Sequence, residues 1–475
     1  MRAPPRWFRG SLQRAYGVAL DEWERHKTPA AWLLLLFTPR LLLTPTTQKG
    51  GNGKEELTAR LERFLQGDWV TLLQETRQAQ STQPRRAHNP QPADAKERLL
   101  EEACDRVRLG EVSRAREVLT SSGLAPGDAN TLAQLTDPAR RPRELAREIP
   151  QEVRDYAPPD AAAFRLNKDT LFAVLSTARK GRAADLSGTR TEHLRVLLDS
   201  GSHWDIFCSM AEVFAQGRLP DNVADAMRLG RMTALKKPTG QARGTVTSCA
   251  FRRLVSRAVA RQCSKALCAA TAPFQYGLST RAGMDAVVHA LTALTDSDPD
   301  LVIMSLDGIG AFDHVNRAAF LSKLHDTDSL RHLLPLARML YGSRSTFLWV
   351  DDEGTTHEVI QGEGGEQGDP LMPAFYSLGQ HNALEQAAGH LQEGEYLFAY
   401  LDDLYLVVPK HRAAAAYHTV AETVRDLAGV HSHEGKLRAW CSGGGPAPAD
   451  VVALTTAALA RASLVGYLTY LSYLR

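Results

Sequence analysis

The stretch Ser305-Leu306-Asp307-Gly308-Ile309-Gly310-Ala311-Phe312-Asp313 decides the fold class, because an apolar run, Leu301 to Leu306, ends on an acid and two glycines. Five aliphatic residues and one serine read as a buried strand. Val315, Ala318, Ala319 and Leu321 then follow at helical spacing, so Asp307 is expected at a strand-to-helix corner. A second acid-bearing stretch, Tyr400-Leu401-Asp402-Asp403, sits inside the apolar span Tyr396 to Val408, the pattern of a hairpin whose tight turn presents adjacent carboxylates. Carboxylates at the edge of buried strands call for a compensating charge, and a bound cation is the usual one.

Between these two lies Gln361-Gly362-Glu363-Gly364-Gly365-Glu366-Gln367-Gly368-Asp369-Pro370-Leu371, whose glycines would let backbone approach a ligand closely. Each signal is weak alone. An isolated Asp-Asp is more often a solvated turn, as Asp351-Asp352 is read here, and a glycine-rich stretch is more often a surface loop.

Working outward, 475 residues with 44% hydrophobic content suffice for two to four domains with real cores. The formal net charge of +2 conceals a separation of sign. From Arg228 to Lys265 there are ten Lys or Arg and no acid, whereas from Ser345 to Pro409 there are twelve Asp or Glu and no Lys or Arg. A basic wall facing an acidic pocket suits a protein that binds phosphates on one side and cations on the other. The six cysteines are dispersed and lack metal-ligand spacing, which argues against a zinc module or a disulfide framework and favours a reducing, intracellular setting. The apolar run Ala30 to Phe37 is stopped by Pro39 and Arg40 far short of the ~20 residues that span a bilayer, so it reads as a buried helix and no membrane partner is expected.

The order L-D-x-x-x-A-F-D (from Leu306), Q-G-D-P-L (from Gln367), Y-L-D-D (from Tyr400), then Gly435-Lys436, resembles reverse transcriptases of non-LTR retrotransposons. The resemblance implies an α+β, right-hand polymerase with palm and fingers, a helical N-terminal region and a truncated thumb. It further implies RNA-directed DNA synthesis from an RNA template, a DNA primer and deoxynucleoside triphosphates, with two Mg²⁺, or Mn²⁺ in their place, held by Asp307, Asp402 and Asp403 as catalytic and metal-binding acids. Gln367 and Gly368 would contact template and nucleotide, and Lys436 would lie near the pyrophosphate.

Upstream, Leu235-Lys236-Lys237-Pro238, Arg243-Gly244 and Gln275-Tyr276-Gly277 look like looser versions of the family's fingers motifs, which puts Lys236 or Lys237, with Arg243, on the triphosphate. Ala184-Asp185 stands where the family has Pro-Gly, near Ser187-Gly188. Phe312 is placed either as a steric gate that rejects a 2′ hydroxyl or as a core side chain. Arg253, Arg257, Arg261 and Lys265, four apart on an expected helix, form either a solvated face or a track for a phosphate backbone.

The expected organisation is a helical region over 1–77, a linker over 78–95, helices over 96–160, fingers over 161–300, palm over 301–440 and a vestigial thumb or tail over 441–475. No endonuclease signature accompanies the motifs, which would make the chain a fragment or a decayed copy and leaves open a non-enzymatic nucleic-acid-binding relic. An RNA-directed RNA polymerase and a metal-dependent phosphatase or nuclease are the other readings. Nuclear action is implied only by the family's habit of inserting into chromosomes.

Overall fold

A computed structural model describes residues 4–44, 53–82, 92–108, 110–120, 123–179, 181–237 and 240–456. The tail expected to cap the palm through Tyr467, Tyr470 and Tyr473 lies outside them, as does most of the 78–95 linker, although 78–82 continue the helix Trp69–Thr82.

Two four-stranded sheets organise the described chain. The first has the order β2-β1-β4-β5, with β1 Gly230–Lys236, β2 Ala242–Thr247, β4 Ser345–Val350 and β5 Thr356–Gln361. Antiparallel hairpins β1/β2 and β4/β5 are joined by a short parallel contact of β1 with β4. The second has the order β6-β7-β3-β8, all antiparallel, with β3 Leu301–Leu306, β6 Tyr396–Tyr400, β7 Asp403–Pro409 and β8 Arg438–Cys441. Both strands expected from the sequence form, and the Asp351-Asp352 pair makes the surface turn between β4 and β5.

The helix Met372–Gly389 follows the glycine-rich loop and buries residues on every face, which is why it lacks an apolar stripe. It packs on the helices Arg317–Asp326 and Ala413–Ala428, and Phe320 stacks on its Phe375 at 5.4 Å.

The N-terminal helices belong to the same core. Thr28 caps the helix Pro29–Leu43 through the Ala31 amide, with Pro29 at a position that needs no donor. The helix continues through Pro39 and seats Trp32 against Trp23 and Phe251 at 5.6 and 6.1 Å. Phe251 also meets Phe207 and Phe214, so the first helices share one aromatic cluster with the helices Ser202–Ala215 and Ala250–Gln262. No described helix is long and apolar enough to cross a membrane.

Phe251 opens the helix Ala250–Gln262, whose next residue, Arg252, is fully buried. Its guanidinium donates to Glu366 Oε1 at 2.6 Å, Asp369 Oδ2 at 2.7 Å and the Tyr341 hydroxyl at 3.1 Å. Asp185 caps the same helix: its Oδ2 accepts from the Ala250 amide at 2.8 Å while Oδ1 accepts from Ser187 and Thr189. Asp185, which stands where the resembled family has the glycine of Pro-Gly, holds this loop to the helix. Arg252→Ala would leave two carboxylates buried without a counter-charge, and urea denaturation should show a loss of about 3–5 kcal/mol.

Candidate active site

The two acid-bearing stretches meet on the second sheet. In the β3/β7 ladder Leu306 pairs with Leu404, so one further step along the register sets Asp307 opposite Asp403. Tyr400 pairs with Asp403 across a two-residue turn, Leu401-Asp402, as expected for the hairpin. Leu401 adopts a left-handed backbone at φ +55°, unusual for a branched side chain.

Gln275 holds that turn, a role the sequence did not reveal. Its Oε1 accepts from the Leu401 and Gly277 amides at 2.7 and 2.9 Å, and its Nε2 donates to the Leu401 carbonyl at 3.2 Å. Gly277 is needed for the approach: a Cβ there would sit 2.8 Å from the Leu401 nitrogen. The Tyr276 amide completes the join by donating to the Ala399 carbonyl at 2.9 Å.

The corner at Asp307 is braced from the other side. Its carbonyl accepts from the His433 amide at 2.7 Å, and the Ile309 amide donates to the His431 carbonyl at 2.8 Å. Lys436 reaches back to Asp307 Oδ2 in a close ion pair. Burial, then repulsion from Asp402 and Asp307, raises the Asp403 carboxyl above the usual range, with Lys436 opposing. Beneath the acids lies Tyr376, whose hydroxyl is raised by burial and by the same three carboxylates. Phe312 stacks on the Tyr376 ring at 4.8 Å, packs against the main core and also lines the cleft, half-buried, so both expected placements stay open.

These groups line a cleft of about 940 Å³ between the sheets. The acids lie on one wall; Lys237, Arg243 and Lys436 also face it. Burial and then repulsion from Arg243, Arg140 and Lys436 lower the Lys237 ammonium, the sign of cations gathered without enough anions. Lys236, the alternative candidate, points away along the strand and does not line the cleft. Gln367 lines it too, accepting from Arg243 Nε at 3.1 Å and donating to Asp313 Oδ2 at 3.3 Å.

The glycine-rich loop corrects the expectation of a backbone laid against a ligand. Side chains at Gly362, Gly364 and Gly365 would strike the Glu144 backbone, the Phe312 and Asp313 carbonyls and the Met372 sulfur. Gly368, at φ +131°, lies beside the Val246 carbonyl. The loop's acids are likewise internal: Glu366 and Asp369 meet Arg252, and Glu363 accepts from the Arg317 and Ala146 amides. Three acids of the acidic stretch are thus spent inside the fold, and its contribution to the cleft is Asp402 and Asp403.

The four-residue basic ridge is also redrawn. The helix ends at Gln262, so exposed Lys265 belongs to the next helix, Ser264–Ala269, and exposed Arg261 stands apart from half-buried Arg253 and Arg257. The latter two join residues that the spacing did not suggest. Arg182 is pushed down to about 10 by burial and then by Arg257, Arg253, Arg114 and Arg179. The nearby run containing Arg179 and Arg182 was the available signal.

Among the described residues no three acid, His or Cys side chains converge as a ready-made metal cage. Asp307, Asp402 and Asp403 fit divalent cations by their chemistry: hard oxygen donors whose crowding is unfavourable without positive charge, one already paired with an ammonium. The raised Asp403 carboxyl means ionisation costs stability above the carboxylate range. Asp403→Asn should raise the melting temperature in metal-free neutral buffer, and the gap from the parent should close as pH falls and Asp403 takes up its proton.

Residues 235–464, just under half of the chain, match the family model described as reverse transcriptase (RNA-dependent DNA polymerase). Among curated proteins none matches the chain. Among solved structures it is similar to apo telomerase from Candida tropicalis truncated from its C-terminal domain, at 12% identity and a TM-score of 0.36, over 54% of this chain and 63% of that one. The chain thus spans less than two thirds of that structure's length.

Proposed function

We propose that the protein is an RNA-directed DNA polymerase of the non-LTR retrotransposon type, extending a DNA primer on an RNA template. The observation that carries this reading is the facing of two kinds of charge across one cleft: Asp307, Asp402 and Asp403 on one wall, Lys237 and Arg243 on the other, inside a matched reverse-transcriptase domain.

Mg²⁺ held by the three carboxylates would lower the pKa of the primer 3′ hydroxyl and neutralise charge on the departing pyrophosphate. The chain's own residues do the rest. Lys237 and Arg243 bind triphosphate oxygens as cations, the latter aimed by Gln367. Lys436, beside Asp307, offers an ammonium to the leaving group side of the cleft. Gln275 fixes the backbone of Leu401 and so the direction of Asp402 and Asp403. Phe312, locked on Tyr376, offers its ring to the sugar as a barrier to a 2′ hydroxyl. Arg182, Arg253 and Arg257 supply a phosphate-binding surface for template or primer.

The test is primer extension on RNA with Mg²⁺ and deoxynucleotides. Asp402→Asn or Asp403→Asn should lower the rate at least about a hundredfold. Extension untouched by these changes would remove the assignment, whereas no extension with salt-sensitive RNA binding retained would mark a binding relic of such an enzyme. Phe312→Val should admit ribonucleotides at least roughly tenfold better relative to deoxynucleotides, read as the ratio of kcat/KM values. Unchanged selectivity would make Phe312 a packing residue only.

A further inference from the structure

Residues 123–149 precede the matched domain and run as a strap across its fingers sheet and behind its cleft. The Ala125 amide donates to the Ala234 carbonyl at 2.9 Å, and the Lys236 amide donates to the Gly123 carbonyl at 3.0 Å, extending the sheet. Gly127 and Asp352 exchange hydrogen bonds at 2.8 and 3.0 Å. Gln134 accepts from the Ala242 amide at 2.8 Å, Pro142 accepts from the Gly362 amide at 2.7 Å, and Ala146 donates to Glu363 at 2.5 Å. These anchors fix the strap at both ends and in the middle.

The middle carries Arg140 and Arg141. Arg141 is buried, donating to Gln361 Oε1 and the Leu135 carbonyl, each at 3.0 Å, and to Asp313 Oδ1 at 3.4 Å. Asp313 in turn receives Gln367, which receives Arg243, so Arg141 is a positioning residue for the cationic wall. Arg140 lines the cleft itself with Lys237, Arg243 and Lys436. Its partners are Asp137 at 3.6 Å, both side chains more than a third exposed, and Gln134 at 3.3 Å. An exposed pair of that kind is weak and is readily exchanged for phosphate.

We infer that this strap is a built-in wall of the nucleotide site and that Arg140 is a triphosphate-binding residue supplied from outside the polymerase domain. The inference rests on the polymerase reading above. Arg140, Lys237 and Arg243 line the cleft away from the Asp307–Lys436 pair, and the acid nearest them, Asp313, already bonds Arg141; these three cations make a site for a polyphosphate, whose several negative oxygens satisfy them together.

The experiment compares the parent with Arg140→Ala, Arg140→Lys and, as a control on the strap, Arg143→Ala, whose exposed side chain bonds only the Thr136 carbonyl among the described residues. In primer extension Arg140→Ala should raise the KM for deoxynucleotide roughly tenfold, the loss of one charge-assisted contact, with kcat within about twofold and primer–template binding unchanged. Arg140→Lys should recover most of that loss and Arg143→Ala should match the parent. An unchanged KM, an equal rise in Arg143→Ala, or a loss confined to primer–template binding would overturn the assignment. Should the parent fail to extend a primer, the polymerase reading fails separately. Equilibrium dialysis of deoxythymidine triphosphate then decides Arg140 by itself: binding weakened roughly tenfold in Arg140→Ala supports the site, and equal or undetectable binding by parent and variant overturns it.

Discussion

The bonds from Arg252 to Glu366 and Asp369 tie the fingers to the floor of the cleft, and the remaining geometry depends on them. One guanidinium, fully buried over the Tyr341 ring, neutralises two carboxylates in the loop that carries Gln367. A buried ion network of this kind adds little net stability compared with a well-packed apolar substitute. Its value is directional: the planar donor fork accepts one arrangement of the loop, and the loop then delivers Gln367 to Arg243 and Asp313.

How much was legible follows from the range of each interaction. The strands β3 and β6/β7 and the tight turn at Asp402 are set by nearest neighbours in sequence, and near-continuous apolar runs with a turn between them are enough to read them. The three acids followed from their placement at strand ends. The glycines and acids of 361–371 were misread because their partners are distant: Glu144, Arg252 and Arg317 cannot be paired with that loop by spacing alone. Gln275 was quoted as a motif yet its work on Leu401, 126 positions away, has no local signature. Lys236 and Lys237 part because β1 ends at Lys236 and Lys237 opens the turn to β2, a boundary that Pro238 and Gly240 mark in the sequence. The break at Cys263 has no such mark, because nothing in Ser264 or Lys265 forbids a helix from continuing.

Charge is distributed by a division of labour that composition blurs. Glu363, Glu366, Asp369 and Glu395 of the acidic stretch are buried in internal bonds, while Lys237 and Arg243 on the cleft make no ion pair among the described residues. Attraction for anionic ligands therefore comes less from an excess of base, since the net charge is only +2, than from the fold having spent its acids elsewhere.

The strap bears on what counts as the unit of this protein. Ala125 and Leu135 are buried in the small apolar core of the first sheet, beside Met232, Val246 and Phe347. A chain started at the first residue of the matched segment would lack those two side chains and all of β1 before Leu235, and the sheet would present its apolar face to water. Boundaries drawn from sequence similarity thus cut through a hydrophobic layer here. Modularity in this molecule runs along its surfaces of burial, and a recombinant fragment that respects them begins well upstream of residue 123.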